Sequence, residues 1–414
     1  MASLQPVRGT RDILPAEARR MRHVVETGRT VAERYGFDEI ATPIFESSAV
    51  FKRTLGETSD IVTKEMYTFT DKGGEEITLR PEGTAGVARA LISGGLTQDL
   101  PLKFFYAGPM FRYERPQKGR LRQFHQIGVE LLGVAEPIAD IETIAVGAAV
   151  LDALGVLAKT TLELNSLGNQ ASRAAYRAKL VDYLTDHEAR LSADSKMRLK
   201  LNPLRVLDSK DEGDRRIIHG APQFGESLDA ESRAFLEQVT AGLRALGIHY
   251  VLNDRLVRGL DYYCHTAFEF TTQALGAQGT VLAGGRYDGL IAQMGGSAVP
   301  GVGWAAGVER LAMLIDDAPA APRPIAIVAA DDAAETPALK LAEELRKQGF
   351  RVELPHRGNM GRKLKRASKV NARAAIILGS TELAANSATL RDLDSGEQSA
   401  IPRAELAARL AAYR

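Results

Sequence analysis

The chain has 414 residues, 45% of them hydrophobic and 25% charged, with a formal net charge of +1. That size and balance predict two or three folded domains and exclude disorder as the general state. One cysteine, Cys264, excludes a disulfide framework and a Cys-rich zinc site. No apolar run reaches the roughly 18 residues that span a bilayer, and the opening MASLQPVRGTRDILP lacks the apolar region of a signal peptide. A soluble, cytoplasmic protein is expected.

Residues 16–35 have helical spacing, with Met21, Val24, Val25, Val31, Ala32 and Tyr35 recurring on one side. From 39 to 131 the pattern is mostly strands joined by glycines, with short helices between them. Within it, Leu79-Arg-Pro-Glu-Gly-Thr84 joins a strand to a helix, where Thr84 reads as the N-cap and Glu82 sits favourably beside the helix N-terminus. Residues 104–115 read as a strand, 116–122 as a loop and 123–131 as a return strand. Alternation along the return strand puts His125, Ile127, Val129 and Leu131 on one face and Phe124, Gln126, Gly128 and Glu130 on the other. Residues 170–245 are helical and highly charged. A strand at 248–252 follows, strands continue to 287, and a last helix starts near Gly307. The expectation is an α+β domain over 1–320, built on an antiparallel sheet and interrupted by a helical insertion at about 170–245.

Three prolines in the nine residues 316–324 mark a domain boundary. Beyond it come a buried strand (325–329), a helix (336–349) with Leu339, Ala342 and Leu345 on one face and Gly349 ending it, a strand (350–354), a basic segment (362–366) and an apolar strand (374–378). This order predicts a small α/β domain over 323–414 with a largely parallel sheet. Its 16 Lys and Arg against 11 Asp and Glu give +5, while the rest of the chain stands at −4. Such asymmetry fits a polyanionic partner, and an ordinary surface bias fits it equally well.

Several motifs are absent: no GxxxxGK[ST] loop, no HExxH and no paired histidine spacing, so no metal site is expected. Gly301-Val-Gly-Trp-Ala-Ala-Gly307 has the wrong spacing for a dinucleotide fingerprint. What remains is rich in arginine. Arg112 and Glu114 share a side of the outgoing strand, and Lys118, Arg120 and Arg122 crowd the loop without an acid among them. A polar hairpin face with a cationic tip suits a phosphate-bearing ligand, although routine cross-strand ion pairs also explain it. Arg310 lies in the first turn of its helix, against the macrodipole, a conflict that a phosphate at that terminus resolves. Arg255 to Tyr263 places an arginine and two tyrosines around a glycine. Ala283-Gly-Gly-Arg-Tyr-Asp-Gly289 reads as a sharp turn where backbone approaches a ligand.

Taken together, these clusters resemble the bacterial histidyl-tRNA synthetases, which are class II aminoacyl-tRNA synthetases. The resemblance covers nearly the whole chain. Arg8-Gly-Thr-Arg-Asp-Ile-Leu-Pro15 is similar to the family's N-terminal segment, Ala41-Thr-Pro-Ile-Phe-Glu46 to class II motif 1, 112–130 to motif 2 and 303–310 to motif 3. Arg258-Gly-Leu-Asp-Tyr-Tyr263 and Ala283-Gly-Gly-Arg-Tyr-Asp288 resemble the two segments particular to the histidine branch. Trp304, where the family often has Phe, and Cys264-His265 after the two tyrosines are small departures.

The resemblance implies a class II antiparallel-sheet catalytic domain followed by an anticodon-binding domain. It implies activation of L-histidine by ATP with Mg²⁺, transfer to the 3′ end of tRNA(His), and a homodimer formed through motif 1. Arg112, Arg258 and Arg310 take the catalytic roles. Arg112, Arg120, Phe124 and Arg310 hold ATP, with Phe124 stacked on adenine. Glu82, Gly83, Thr84, Gln126, Glu130, Tyr262, Tyr263 and Tyr287 form the histidine pocket: Glu82, Thr84 and Gln126 at the α-amino group, Glu130 and Tyr263 at the imidazole. The attacking carboxylate, with a pKa of about 3.5, is ionised at pH 7 and needs no general base. Aligning two anions therefore falls to arginines. A regulatory relative that keeps the fold without charging tRNA is the alternative; the Arg258 segment and the C-terminal domain, which that relative characteristically lacks, are both present. Glu130 and the Arg258-to-Tyr263 segment likewise argue against a class II synthetase for another amino acid.

Overall fold

The structure, a computed structural model, describes residues 3–56, 59, 61–256, 262–276, 279–316 and 320–413, apart from the side chain of Asp208. The chain divides between residues 319 and 320 into two compact units. Among the described residues no helix is long and apolar enough to cross a membrane.

The strands of the larger unit are, in chain order, β1 (Asp38–Glu39), β2 (Phe45–Ser47), β3 (Tyr67–Thr70), β4 (Glu76–Leu79), β5 (Leu102–Phe111), β6 (Gln123–Leu132), β7 (Thr161–Ser166), β8 (Val251–Leu252), β9 (Cys264–Thr271), β10 (Thr280–Arg286) and β11 (Gly301–Gly307). Eight of them form one sheet in the order β1-β5-β6-β11-β10-β9-β7-β8. The six inner strands are antiparallel neighbours, and the short edge strands β1 and β8 join in parallel. Strands β2, β4 and β3 make a separate antiparallel sheet.

Alternation decides what each face of the large sheet does. Ile127, Val129 and Leu131 point into an apolar layer with the helices Pro15–Arg34, Pro137–Ala153 and Val308–Leu314. Pro15 opens the first of these helices, where its missing N–H costs nothing, and Met21, Val24, Val31 and Ala32 are its buried stripe. The opposite face carries Tyr106, Met110 and the three tyrosines 262, 263 and 287 into a second cluster with the helix Thr84–Ser93. That cluster runs on into the insertion, whose main helices are Gln170–Asp186, Ala193–Leu201, Glu212–His219 and Ala230–Ala245. The insertion is tied internally by Asp214, whose carboxylate accepts from the hydroxyls of Ser192, Ser195 and Ser209 at 2.6–2.7 Å. These donors hold it ionised, with its pKa at about 2 despite burial.

The smaller unit has a five-stranded sheet: β12 (Ile325–Ala329), β13 (Val352–Glu353), β14 (Ala374–Leu378), β15 (Ser387–Asp392) and β16 (Gln398–Pro402), in the order β13-β12-β14-β15-β16. Strands β13, β12 and β14 are parallel, while β15 and β16 add antiparallel strands absent from the sequence reading.

Four expectations need correction. The outgoing strand of the hairpin stops at Phe111 rather than 115, because Arg112 to Arg122 fold into the loop, with Arg112 N–H bonded to the Arg122 carbonyl at 2.9 Å. The strand at 248–252 shrinks to Val251–Leu252. In the helix Glu335–Lys347 the buried face is Ala338, Leu341, Ala342 and Leu345, leaving Leu339 exposed. Gly284 and Gly285 lie within β10 instead of in a turn; side chains there would collide with the neighbouring strand β11 and with the Tyr263 ring.

Candidate active site

Pro81 to Ala85 turn from the small sheet into the helix Thr84–Ser93. Both oxygens of the Glu82 carboxylate accept backbone N–H groups there, Thr84 and Ala85, each at 2.8 Å. Glu82 therefore caps the helix that Thr84 begins. The Thr84 hydroxyl, not needed as a cap, donates to Glu130 Oε1 at 2.6 Å. Tyr287 donates its hydroxyl to the other oxygen of Glu130. Glu130 has no solvent exposure, and burial in this apolar layer raises its pKa to about 8, although the two hydroxyls pull the other way. The carboxyl fits only because its neighbour in β11 is Gly303; a Cβ at that position would overlap Glu130 Oε2.

Arg112 stands at the end of β5. Its Nε donates to the Pro81 carbonyl at 2.9 Å, and its guanidinium lies 5.3 Å from the centre of the Phe124 ring. Arg120 pairs with Glu114 in the hairpin loop, which closes on itself through Gln117 and Arg120. Arg310 reaches the same loop from the helix Val308–Leu314. Its Nε donates to the Gly119 carbonyl at 3.1 Å and Nη1 to the Thr280 carbonyl at 2.6 Å. Burial, then the charges of Arg120 and Arg112, lower its pKa. Three guanidiniums thus repel one another around one space, an arrangement that a bound polyanion relieves.

That space is a cavity of about 530 Å³, large enough for a nucleotide or a comparable ligand. Glu82, Thr84, Arg112, Arg120, Phe124, Gln126, Tyr262, Tyr263 and Arg310 line it, so most sequence-predicted residues converge. Glu130 and Tyr287 stand behind this lining and are joined to it through Thr84, and Gly83 lies between Glu82 and Thr84. Arg258 lies outside the described residues. Arg286, read with Tyr287 as part of a ligand turn, instead points into the core. It is fully buried, with Nε donating to Asp140 Oδ2 at 3.0 Å and Nη1 to Asp288 Oδ1 at 3.0 Å.

Sequence reasoning missed several cavity residues. Glu269, Thr280 and Glu309 line it, and Lys210 reaches it from the insertion. Glu309 accepts from the His125 backbone N–H and contacts its ring Nδ1 at 2.8 Å, bracing β6. Tyr106 is buried against Glu82 and Glu130. The one signal for it was Gly128, the gap in an otherwise filled strand face.

Comparison with known proteins agrees with this fold. Residues 9–311 match the family described as Histidyl-tRNA synthetase, and residues 324–413 match Anticodon binding domain. The chain is 64% identical to a histidine–tRNA ligase of Rhodospirillum rubrum over 414 residues, the whole of both chains. It is 50% identical to that of Thermosynechococcus vestitus, over 97% of this chain and 95% of the other. The crystal structure of apo Staphylococcus aureus histidyl-tRNA synthetase superposes with a TM-score of 0.83 at 34% identity, covering 98% of this chain and 99% of that one.

Proposed function

This chain belongs to the histidyl-tRNA synthetase family, and from that premise we propose how its cavity carries out the family's reaction. The reaction is ATP-dependent activation of L-histidine to histidyl-adenylate, followed by transfer of the histidyl group to the 3′ end of tRNA(His). The alternative of a regulatory relative without charging activity is set aside, since full-length relatives at 64% and 56% identity are histidine–tRNA ligases.

One observation carries the assignment of ends: three guanidiniums and an aromatic ring occupy one part of the cavity lining, and a hydroxyl-bound carboxyl stands behind another. We place ATP at the first. Arg112 binds the α-phosphate, Phe124 stacks on adenine, and Arg120 with Arg310 holds the outer phosphates. Arg258, by the family resemblance, joins Arg112 at the reacting carboxylate. Histidine takes the second end, with its ring on Glu130, Tyr263 and Tyr287, its ammonium on Glu82, Thr84 and Gln126, and Tyr262 and Gly83 completing the walls. A site that hydrogen-bonds both ring nitrogens rejects analogues without them by roughly 10⁴–10⁵. Mg²⁺ carried on the triphosphate would neutralise part of its charge. Among the described residues no cluster of three or more His, Cys, Asp or Glu forms a metal cage, while the single carboxylates Glu114, Glu269 and Glu309 suit an ion that takes most ligands from phosphate and water.

The C-terminal unit, 323–414, reads the anticodon, and its excess of basic residues supports this. Homodimerisation follows from the resemblance to motif 1 and from an apolar face on the small sheet. Phe45 and Phe69 are 57% and 47% exposed and sit two residues apart in register across β4, hence on the same side. Sedimentation velocity is expected to give a dimer that Phe45→Glu dissociates. We place the reaction in the cytoplasm, where charged tRNA is consumed.

Amino-acid-dependent ATP–pyrophosphate exchange across all twenty amino acids tests the reading. Exchange with histidine alone is expected. Exchange with another amino acid, or with none from folded protein that binds ATP, overturns it.

A further inference from the structure

Tyr106 stands opposite Gly128 in the pairing of β5 with β6, one step from Phe104 opposite Glu130. Its ring fills the gap that Gly128 leaves and passes beneath Gly83; a Cβ on either glycine would overlap the phenol. The side chain is 4% exposed. Its hydroxyl lies close enough to Thr84 and Glu130 to interact with both, yet meets neither in full hydrogen-bond geometry. A buried hydroxyl without a fully formed hydrogen bond is uncommon and calls for an explanation, and a group bound at this end of the pocket supplies one. Gln126 Oε1 is a second such atom on the same stretch of sheet, again buried and unbonded.

The neighbours narrow what that group is. Thr84 and Tyr287 each occupy one oxygen of Glu130, so this end of the pocket already has its carboxyl oriented. A neutral imidazole presents one N–H and one bare nitrogen. In the placement above Glu130 and Tyr263 take these two, and a phenol beside Glu130, able to donate or accept, shares the nitrogen that Glu130 faces. We infer that Tyr106 is a specificity-determining residue for the amino acid, its hydroxyl completing its hydrogen bond only when the histidine ring is bound. This rests on the placement of the ring beside Glu130 proposed above.

Tyr106→Phe in the full-length protein tests the inference, because it removes the unbonded hydroxyl and little else. The unliganded variant is expected to melt at or slightly above the wild-type temperature, since deleting an unsatisfied buried group is neutral or favourable. The thermal shift produced by histidine is expected to shrink. In pyrophosphate exchange, KM for histidine should rise about ten- to a hundredfold, the range for losing a hydrogen bond in a buried site. KM for ATP should stay within about threefold. A KM for histidine within twofold of wild type overturns the inference. So does an unliganded variant that melts several degrees lower, which means the hydroxyl is bonded in the empty pocket. Wild-type protein run alongside separates the two readings: if it shows no histidine-dependent exchange, the functional proposal fails regardless of Tyr106.

Discussion

The two compact units treat charge in opposite ways. The catalytic body buries Glu82, Glu130, Asp140, Asp214, Arg286 and Glu309, each held by specific donors or acceptors. Among the described residues of the C-terminal unit, Lys363 is the one charged side chain that is buried, donating to the Ala329 carbonyl at 3.1 Å. Its core is otherwise aliphatic, and the other basic residues of the helix Met360–Lys369, namely Arg362, Lys365, Arg366 and Lys369, stand in solvent. A small substrate is recognised by desolvated groups whose burial costs stability. A long polyanion is met by surface charge that costs little. The contrast teaches that the same residue types carry different meanings inside and out.

Substitutions can break that contrast. The largest effect is expected inside the body and away from the cavity: Asp140→Ala strands Arg286 in the core and should lower stability by about 3 kcal/mol, the low end for breaking a buried pair because Asp288 remains. Chemical denaturation measures it, and a loss under about 1 kcal/mol would show the pair to be dispensable. In the cavity, Arg112→Ala and Arg258→Ala should each reduce pyrophosphate exchange about a hundredfold or more; a change below threefold rules out their roles.

Glu130 offers a finer test through pH. Its folded-state pKa of about 8 exceeds the ordinary 4.5, so the folded protein holds a proton that the unfolded chain releases. Stability from this group is greatest below about 4.5 and falls as pH rises toward 8. Glu130→Gln cannot titrate, so the difference in melting temperature between variant and wild type should move in the variant's favour across that window. A difference independent of pH would mean that Glu130 is already ionised when the pocket is empty.

The smallest effect belongs to the C-terminal unit. Replacing the exposed Arg362, Lys365 and Lys369 with alanine should lower tRNA charging about tenfold and reduce its salt slope by about one per lost phosphate contact. Exchange without tRNA should not change. If exchange falls too, the surface helix is not a separate tRNA contact.

Local pattern carried much of this into view. Alternation along 123–131 separated the core face from the cavity face correctly, and Glu82 beside a helix N-terminus is where the structure has it. What was hidden depends on pairing between distant strands. Tyr106 matters because of its register with Gly128, and no spacing within β5 announces it. Arg286 looked like a ligand group because its partner Asp140 is 146 residues away. In the helix Glu335–Lys347, Leu339 drew the predicted face toward itself, although the buried stripe starts from the small Ala338. Lys210 comes from the insertion, whose fold no motif describes.

The bare backbone of Gly303 lies against Glu130, and that of Gly83 and Gly128 lies against the ring of Tyr106. An engineer seeking room for a bulkier amino acid usually trims pocket walls to glycine, and at these positions nature has left nothing to trim. Adding one methyl group at any of the three would collide with Tyr106 or Glu130; widening the pocket means removing Tyr106 or Tyr287, the groups proposed to recognise the guest. Recoding this pocket for a larger side chain therefore calls for a change of backbone, while recoding it for a smaller one is a matter of single substitutions.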